Sequence, residues 1–237
     1  MSRDSLFYFD SYATLGPTPA KDSAAPWTRD DLLNEMERCQ VRGALVYTHQ
    51  AALVHPKVGN PVTLDFCRDS DRLFPCWVGL PHHTGEVPDP HTFVQQMEDA
   101  DVRAVKLFPR THAYQVDEPT LGELCSILSE AGKLLILDAG EGAQAQVDWP
   151  ELSWICETYP RLNVLVHNIK WGMTRHLVPI ADRYANLHIE FSNYQGNRML
   201  EFWSDRIGHE RLLFGSGAMA KSMGAARAYI DYSDLTD

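Results

Sequence analysis

Short, nearly unbroken apolar runs recur along the chain and alternate with longer stretches whose apolar residues fall on one helical face. The runs are LFYFD (Leu6–Asp10), GALVY (Gly43–Tyr47), FPCWV (Phe74–Val78), RAVKLF (Arg103–Phe108), LLILD (Leu134–Asp138), NVLVH (Asn163–His167), LHIEF (Leu187–Phe191) and LLFG (Leu212–Gly215). Strands covered on both faces read as continuous apolar runs, whereas half-exposed strands alternate. The pattern therefore predicts eight buried strands.

The stretches between them carry helix punctuation. TRDDLLNEMERCQ opens on Thr28 as an N-cap, with acidic residues in its first turn, and stops before Gly43. DEPTLGELCSILSEAGK has Pro119 early, apolar Leu121, Leu124, Ile127 and Leu128, and Gly132 as a C-cap. WPELSWICETYP and MLEFWSDRIG follow the same design. Strand and helix in strict alternation imply right-handed crossovers and a parallel sheet. Eight such units predict an α/β fold closed as a (β/α)8 TIM barrel, one domain over residues 1–237. The first strand is not followed by GxGxxG, which argues against an open dinucleotide-binding sheet. The last helical segment, GAARAYI, is short and lies close to the final SDLTD, so the natural chain is expected to continue with a fuller closing helix.

Composition narrows the partners. With 237 residues, 44% hydrophobic and 22% charged, the chain has the make-up of a globular protein with a sizeable core. A formal charge of −11 and the lack of a basic stripe exclude nucleic acid as the expected partner. Neither a signal-peptide-like start nor a membrane-length apolar run is seen, so a cytoplasmic protein without a membrane partner is expected. The five cysteines, Cys39, Cys67, Cys76, Cys125 and Cys156, show no CxxC spacing and are read as buried thiols. Trp171 and Trp203, placed on outer elements, are candidate contacts of a homo-oligomer.

In a βα barrel, chemistry collects where strands end. Those ends offer Asp10, Tyr12 and Thr14; Thr48 and His49; His82 and His83; Lys106, Arg110 and His112; Asp138 and Glu141; His167; Glu190 and Asn193; and the run GSGAMAKSMG. Lys106 stands out because an ammonium inside an apolar strand must face the mouth or pair with a carboxylate, and Asp138 is a natural partner. Glu190 is compatible with capping a neighbour instead. Lys221 and the free backbone amides of FGSGAMAKSMG raise phosphate binding, although a flexible loop is the simpler reading.

Five of these strand ends resemble the amidohydrolase superfamily, in particular its amidohydrolase-related branch of hydrolases, decarboxylases and hydratases. FDSYATLG resembles a first-strand motif with His-x-His after the aspartate; VRAVKLFP resembles a fourth strand that often carries lysine; LLILDAGEG and NVLVHNIKWG resemble strands ending in histidine; RLLFGSG resembles Phe-Gly-Ser-Asp. Carried over by position, the metal-holding residues become Tyr12, Thr14, Asp138, His167 and Gly217, so only His167 keeps the residue type the resemblance implies. A catalytic zinc takes about three protein ligands, and this set offers two.

Three readings follow. The first is a metal-independent hydrolase or lyase acting on a small anionic, ester- or lactone-like substrate. Here His167, Asp138, Tyr12 and Lys106 are catalytic, and Arg110, His112, His49 and Glu141 bind substrate. His167 would act as base, Tyr12 as oxyanion donor, and Lys106 with Arg110 as a carboxylate clamp. The second is a binding barrel without catalysis. The third is an enzyme with zinc or manganese at a relocated site built from His49, His82, His83 and His112 with Asp138 and His167. In that set, adjacent His82 and His83 should point apart.

Overall fold

The computed structural model describes residues 7–17, 28–140 and 145–235. Eight strands pair in sequence order, every pair parallel. They are β1 (Tyr8–Leu15), β2 (Val41–Thr48), β3 (Leu73–Gly79), β4 (Ala104–Leu107), β5 (Leu134–Asp138), β6 (Asn163–His167), β7 (Leu187–Glu190) and β8 (Leu212–Leu213). The sheet closes on itself through backbone bonds from Ser11 N to Phe214 O, Gly217 N to Tyr12 O and Thr14 N to Ala218 O. The fold is a (β/α)8 barrel, as the alternation predicts. β1 runs on through Leu15, past the Asp10 at which the apolar run ends, with a register irregularity between Asp10 and Ala13.

The helices are α1 (Arg29–Arg38), α2 (His49–Leu53), α3 (Pro56–Cys67), α4 (Pro90–Asp99), α5 (Glu118–Glu130), α6 (Trp149–Thr158), α7 (Thr174–Arg183), α8 (Met199–Ile207) and α9 (Met223–Asp231). Thr28 caps α1 in a reciprocal box with Asp31, and Asp148 and Glu151 do the same for α6. The cap of α5 is Ala131, with Gly132 following it at φ +63°. α3 and α7 are harder to read because each carries an internal proline, Pro61 and Pro179. In α3, Gly59 lies against the backbone of α2, where an added Cβ would sit 2.0 Å from Ala51 N.

Side-chain alternation divides the core. Outward residues such as Val105, Leu107, Leu135, Leu137, Val164 and Val166 pack under the helices. Inward residues, among them Ala104, Ile136 and Leu165, fill the barrel together with Tyr47, Cys76 and Val78. All five cysteines are buried and free. Trp203 is a correction to the sequence reading: it is fully buried against Tyr194 and Phe202, so it offers no subunit contact, whereas Trp171 is exposed. Among the described residues no helix is long and apolar enough to cross a membrane.

Candidate active site

Lys106 projects inward from β4 level with Ile136 on β5, and Asp138 lies two residues further along the same face. That offset is about 6.6 Å at ~3.3 Å per residue, a span a lysine stem covers. The stem climbs, and Nζ reaches Asp138 Oδ1 at 3.0 Å and His167 Nδ1 at 3.3 Å. Asp138 and His167 are themselves register partners at the ends of β5 and β6. Three aromatic faces complete the enclosure, with Nζ 4.5 Å from the Tyr12 ring, 5.0 Å from Tyr47 and 5.3 Å from Phe108. The lysine is 0% exposed. Burial opposes its charge, but the neighbouring Asp138 carboxylate outweighs that and holds the ammonium above its ordinary pKa.

His167 lies beneath this group, its ring stacked on Tyr12 with centroids 4.4 Å apart. Burial, reinforced by the Lys106 and Lys221 charges, pushes its pKa well down, so it is a neutral imidazole. Nδ1 accepts from the ammonium, which assigns the proton to Nε2, a buried atom without a hydrogen-bond partner. In that tautomer His167 holds Lys106 in place and has no free lone pair with which to act as a base.

A cavity of about 470 Å³ opens above, lined by Tyr12, Thr14, His49, Asp138, Asn168, Lys170, Asn193 and Lys221, among others. Asn168, directly after β6, adopts φ +59°, a conformation that asparagine tolerates well. Its Nδ2 donates to Asp138 Oδ1 at 2.9 Å and to Tyr12 Oη at 3.0 Å, while its Oδ1 accepts from Asn193 Nδ2 at 2.9 Å. With its oxygen lone pair engaged by Asn168, the Tyr12 hydroxyl is free to donate. Burial raises its pKa, so it stays a phenol. His49, the first residue of α2, lines the cavity; its buried Nε2 has no hydrogen-bond partner among the described residues, and burial together with Lys106 lowers its pKa.

On the opposite side of the mouth, Lys221 precedes α9. Its Nζ donates to Ser192 Oγ at 3.1 Å and lies 3.4 Å from Asn168 Oδ1. It occupies the space that a side chain at position 217 would need, since a Cβ on Gly217 would lie 2.8 Å from Lys221 Cδ and 3.0 Å from Nζ. Ser192 Oγ in turn donates to Glu190 Oε2 at 3.0 Å, and Ser192 N also bonds that carboxylate. Burial pushes Glu190 up to about 7. Asp10, likewise buried and raised to about 6, accepts from Ser216 N and Tyr12 N at 2.9 Å each and from Ser216 Oγ. The segment after β8 is thus pinned to β1, where the sequence suggested a flexible loop.

Several expected site residues fall elsewhere. Arg110 pairs with Glu151 at 2.5 Å and does not line the cavity, so it forms no clamp with Lys106. His112 Nε2 bonds Ala52 O at 2.8 Å, also outside the lining. Glu141 lies outside the described residues. His82 and His83 do not point apart: their rings sit 4.3 Å from each other, with His82 facing Glu123. Asn168 and Lys170 were not picked out from sequence, although both directly follow the strand-terminal histidine in NVLVHNIK, and that adjacency was the available signal. A larger cavity, about 600 Å³, lies outside the barrel between α3 and α4, with a mainly apolar wall including Leu64, Trp77 and Phe93.

The residues at the inherited metal positions do not fit a divalent ion. An ammonium already stands between Asp138 and His167, Tyr12 Oη accepts from Asn168, and Thr14 Oγ1 donates to Ala218 O at 3.2 Å. Gly217 offers no donor atom. Among the described residues, no three His, Cys, Asp or Glu side chains converge as a metal-holding group, which includes the set drawn from His49, His82, His83 and His112.

No family model matches the sequence, and no curated protein matches it significantly. Solved structures do share the fold. A 5-carboxyvanillate decarboxylase from Novosphingobium aromaticivorans, solved with manganese and 4-hydroxy-3-methoxy-5-nitrobenzoic acid, is similar at TM-score 0.77 and 10% identity over 99% of this chain and 92% of that one. A 2,6-dihydroxybenzoate decarboxylase from Rhizobium gives 0.68 and 13% over 98% and 93%. An amidohydrolase II gives 0.71 and 14% over 97% and 94%. These likenesses show a shared (β/α)8 barrel fold.

Proposed function

We infer that the protein is a metal-independent lyase acting on a small anionic substrate in the mouth cavity. One observation carries this reading: Lys106 Nζ, 3.0 Å from Asp138 and 3.3 Å from His167, puts a fixed positive charge where related barrels are expected to hold a cation. A preorganised charge in a water-poor site stabilises developing negative charge without reorganising during the reaction.

The remaining groups suit an anion. Although the chain is acidic overall, among the described residues the cavity wall carries Lys170 and Lys221 against the single carboxylate Asp138. Asn193 and His49 supply further polar atoms, and the unpartnered His49 Nε2 gains a hydrogen bond when substrate binds. Tyr12 delivers a proton to the carbon or oxygen that becomes basic. Lyase chemistry is favoured over hydrolysis because His167, the natural base for activating water, has Nδ1 turned to Lys106. The likeness in fold to two decarboxylases supports the same direction.

The test uses protein dialysed against chelator and assayed for carbon dioxide release from β-keto acids and hydroxybenzoates, with esters and lactones alongside. Turnover without added metal is expected, reduced ~10²-fold or more in Tyr12→Phe, the typical weight of a positioned proton donor. Turnover that appears only with added zinc, manganese or iron would overturn the reading. Ester cleavage without decarboxylation would replace the lyase by a hydrolase, and binding without any turnover would make the barrel a binding protein.

A further inference from the structure

We propose that Lys221 is a covalent catalyst whose amine condenses with the carbonyl group of the substrate to form an imine. The inference rests on the anionic-substrate reading above and extends it to a class, small keto acids and other carbonyl-bearing carboxylates.

Three observations meet at this side chain. First, Lys221 is half-buried, lines the 470 Å³ cavity, and lies beside the phenol of Tyr12, with Nζ 5.4 Å from the ring. Second, its surroundings on balance disfavour its charge, with burial as the main cause. Burial lowers its pKa, and the Lys106 and Lys170 ammoniums add to this against the attraction of Glu190 and Asp138. An amine deprived of solvent and set near a second cation is a standard route to a nucleophilic lysine. Third, a path for the proton is already assembled: Nζ donates to Ser192 Oγ, which donates to Glu190 Oε2. Glu190 is fully buried with a carboxyl titrating near neutrality, and the lyase reading gives it no other task. Gly217 completes the arrangement, since any side chain there would occupy the space of the lysine.

The Nζ lone pair attacks the carbonyl carbon, and the carbonyl π pair moves to oxygen. That oxygen takes one proton from the attacking nitrogen and one from Tyr12 and departs as water, leaving a protonated imine. In a β-keto acid, the pair of the bond to the carboxylate then flows into the iminium as carbon dioxide leaves. The resulting enamine takes a proton from solvent at carbon, water adds to the iminium and releases the ketone and the free Lys221 amine, and the proton freed in that step returns to Tyr12. Lys106 stays a charged ammonium throughout and is not itself a nucleophile.

The experiment treats the full chain with pyruvate, and separately acetoacetate, in the presence of sodium cyanoborohydride, followed by intact mass and peptide mapping. One adduct per chain at Lys221 is expected, absent in Lys221→Arg, which keeps the charge. In Glu190→Gln, which removes a carboxylate whose attraction favours the Lys221 ammonium, trapping near neutral pH should rise by up to ~10-fold, the effect of about one pKa unit on the free-amine fraction, with the difference shrinking at higher pH. Circular dichroism and melting of each variant show whether it is folded. Labelling spread evenly over surface lysines, or confined to Lys170, would overturn the proposal. So would no adduct on folded wild-type protein, even if turnover persisted, which would leave the lyase reading intact. An adduct at Lys221 without turnover of any substrate would instead sink the lyase reading while keeping the nucleophile.

Discussion

Two lysines lie near the same tyrosine ring, and the fold shifts their pKa values in opposite directions. Lys106 is completely enclosed, yet it is held charged because a carboxylate, an imidazole nitrogen and three aromatic faces surround its ammonium. Lys221 is less buried but pushed toward the neutral amine by loss of solvent, which the attraction of Glu190 and Asp138 does not offset, since its direct partners are a hydroxyl and an amide oxygen. Depth of burial alone would predict the reverse. What decides is whether an opposite charge sits within hydrogen-bond reach.

The strongest way to break this contrast is to remove the Lys106 ammonium. Lys106→Met leaves the Asp138 carboxylate buried without its cation and should destabilise the protein by about 3–5 kcal/mol in urea unfolding. Lys106→Met combined with Asp138→Asn should recover much of that loss. If the single variant costs less than about 1 kcal/mol, Lys106 is not locked in the way described.

A pH-dependent effect is expected from the two raised carboxyls on the Lys221 side. Asp10 and Glu190 have folded pKa values of about 6 and about 7, above their ordinary 3.8 and 4.5. The folded state thus binds more protons than the unfolded state in this window. Stability should fall as pH rises from about 4 to about 7 and level off above, by about 1.4 kcal/mol per unit of pKa difference. Glu190→Gln should remove the upper part of that slope. Unfolding curves at pH 5 and pH 8 for both proteins check it, and a wild-type stability that climbs over this range would contradict the burial of these carboxyls.

Gly217→Asp sharpens the contrast further. Position 217 has φ +67°, and the new side chain collides with Lys221, so a loss of ~1–3 kcal/mol is expected together with displacement of the amine. Loss of cyanoborohydride labelling in this variant would report that displacement. At the small end, Arg110→Ala breaks only the partly exposed pair with Glu151 and should change stability by about 1 kcal/mol or less, with no effect on substrate KM. A marked rise in KM would restore Arg110 to the substrate site.

Much of this was legible in advance, for definite reasons. The strand ends of β5 and β6 coincide with the apolar runs ending in Asp138 and His167, because a strand covered on both faces stops being apolar where it reaches the mouth. Lys106 and Asp138 could be paired from sequence because an unpartnered buried ammonium is too costly to persist. Arg110 was misplaced because a cation just past a strand end looks the same whether it turns inward or, as here, outward to the Glu151 that caps α6.

What the sequence determined by itself is the barrel and the identity of the substituted positions, since periodicity and strand-end residues are local properties that survive without neighbours. What only the tertiary structure decided is which charge meets which. Lys221, Ser192 and Glu190 align, and His167 joins the Lys106–Asp138 pair, through the lateral register of neighbouring strands, while Tyr12 reaches them through closure of β1 onto the segment after β8. Electrostatic character depends on distances of a few ångströms between side chains, and strand register and packing, not the order of residues, set those distances.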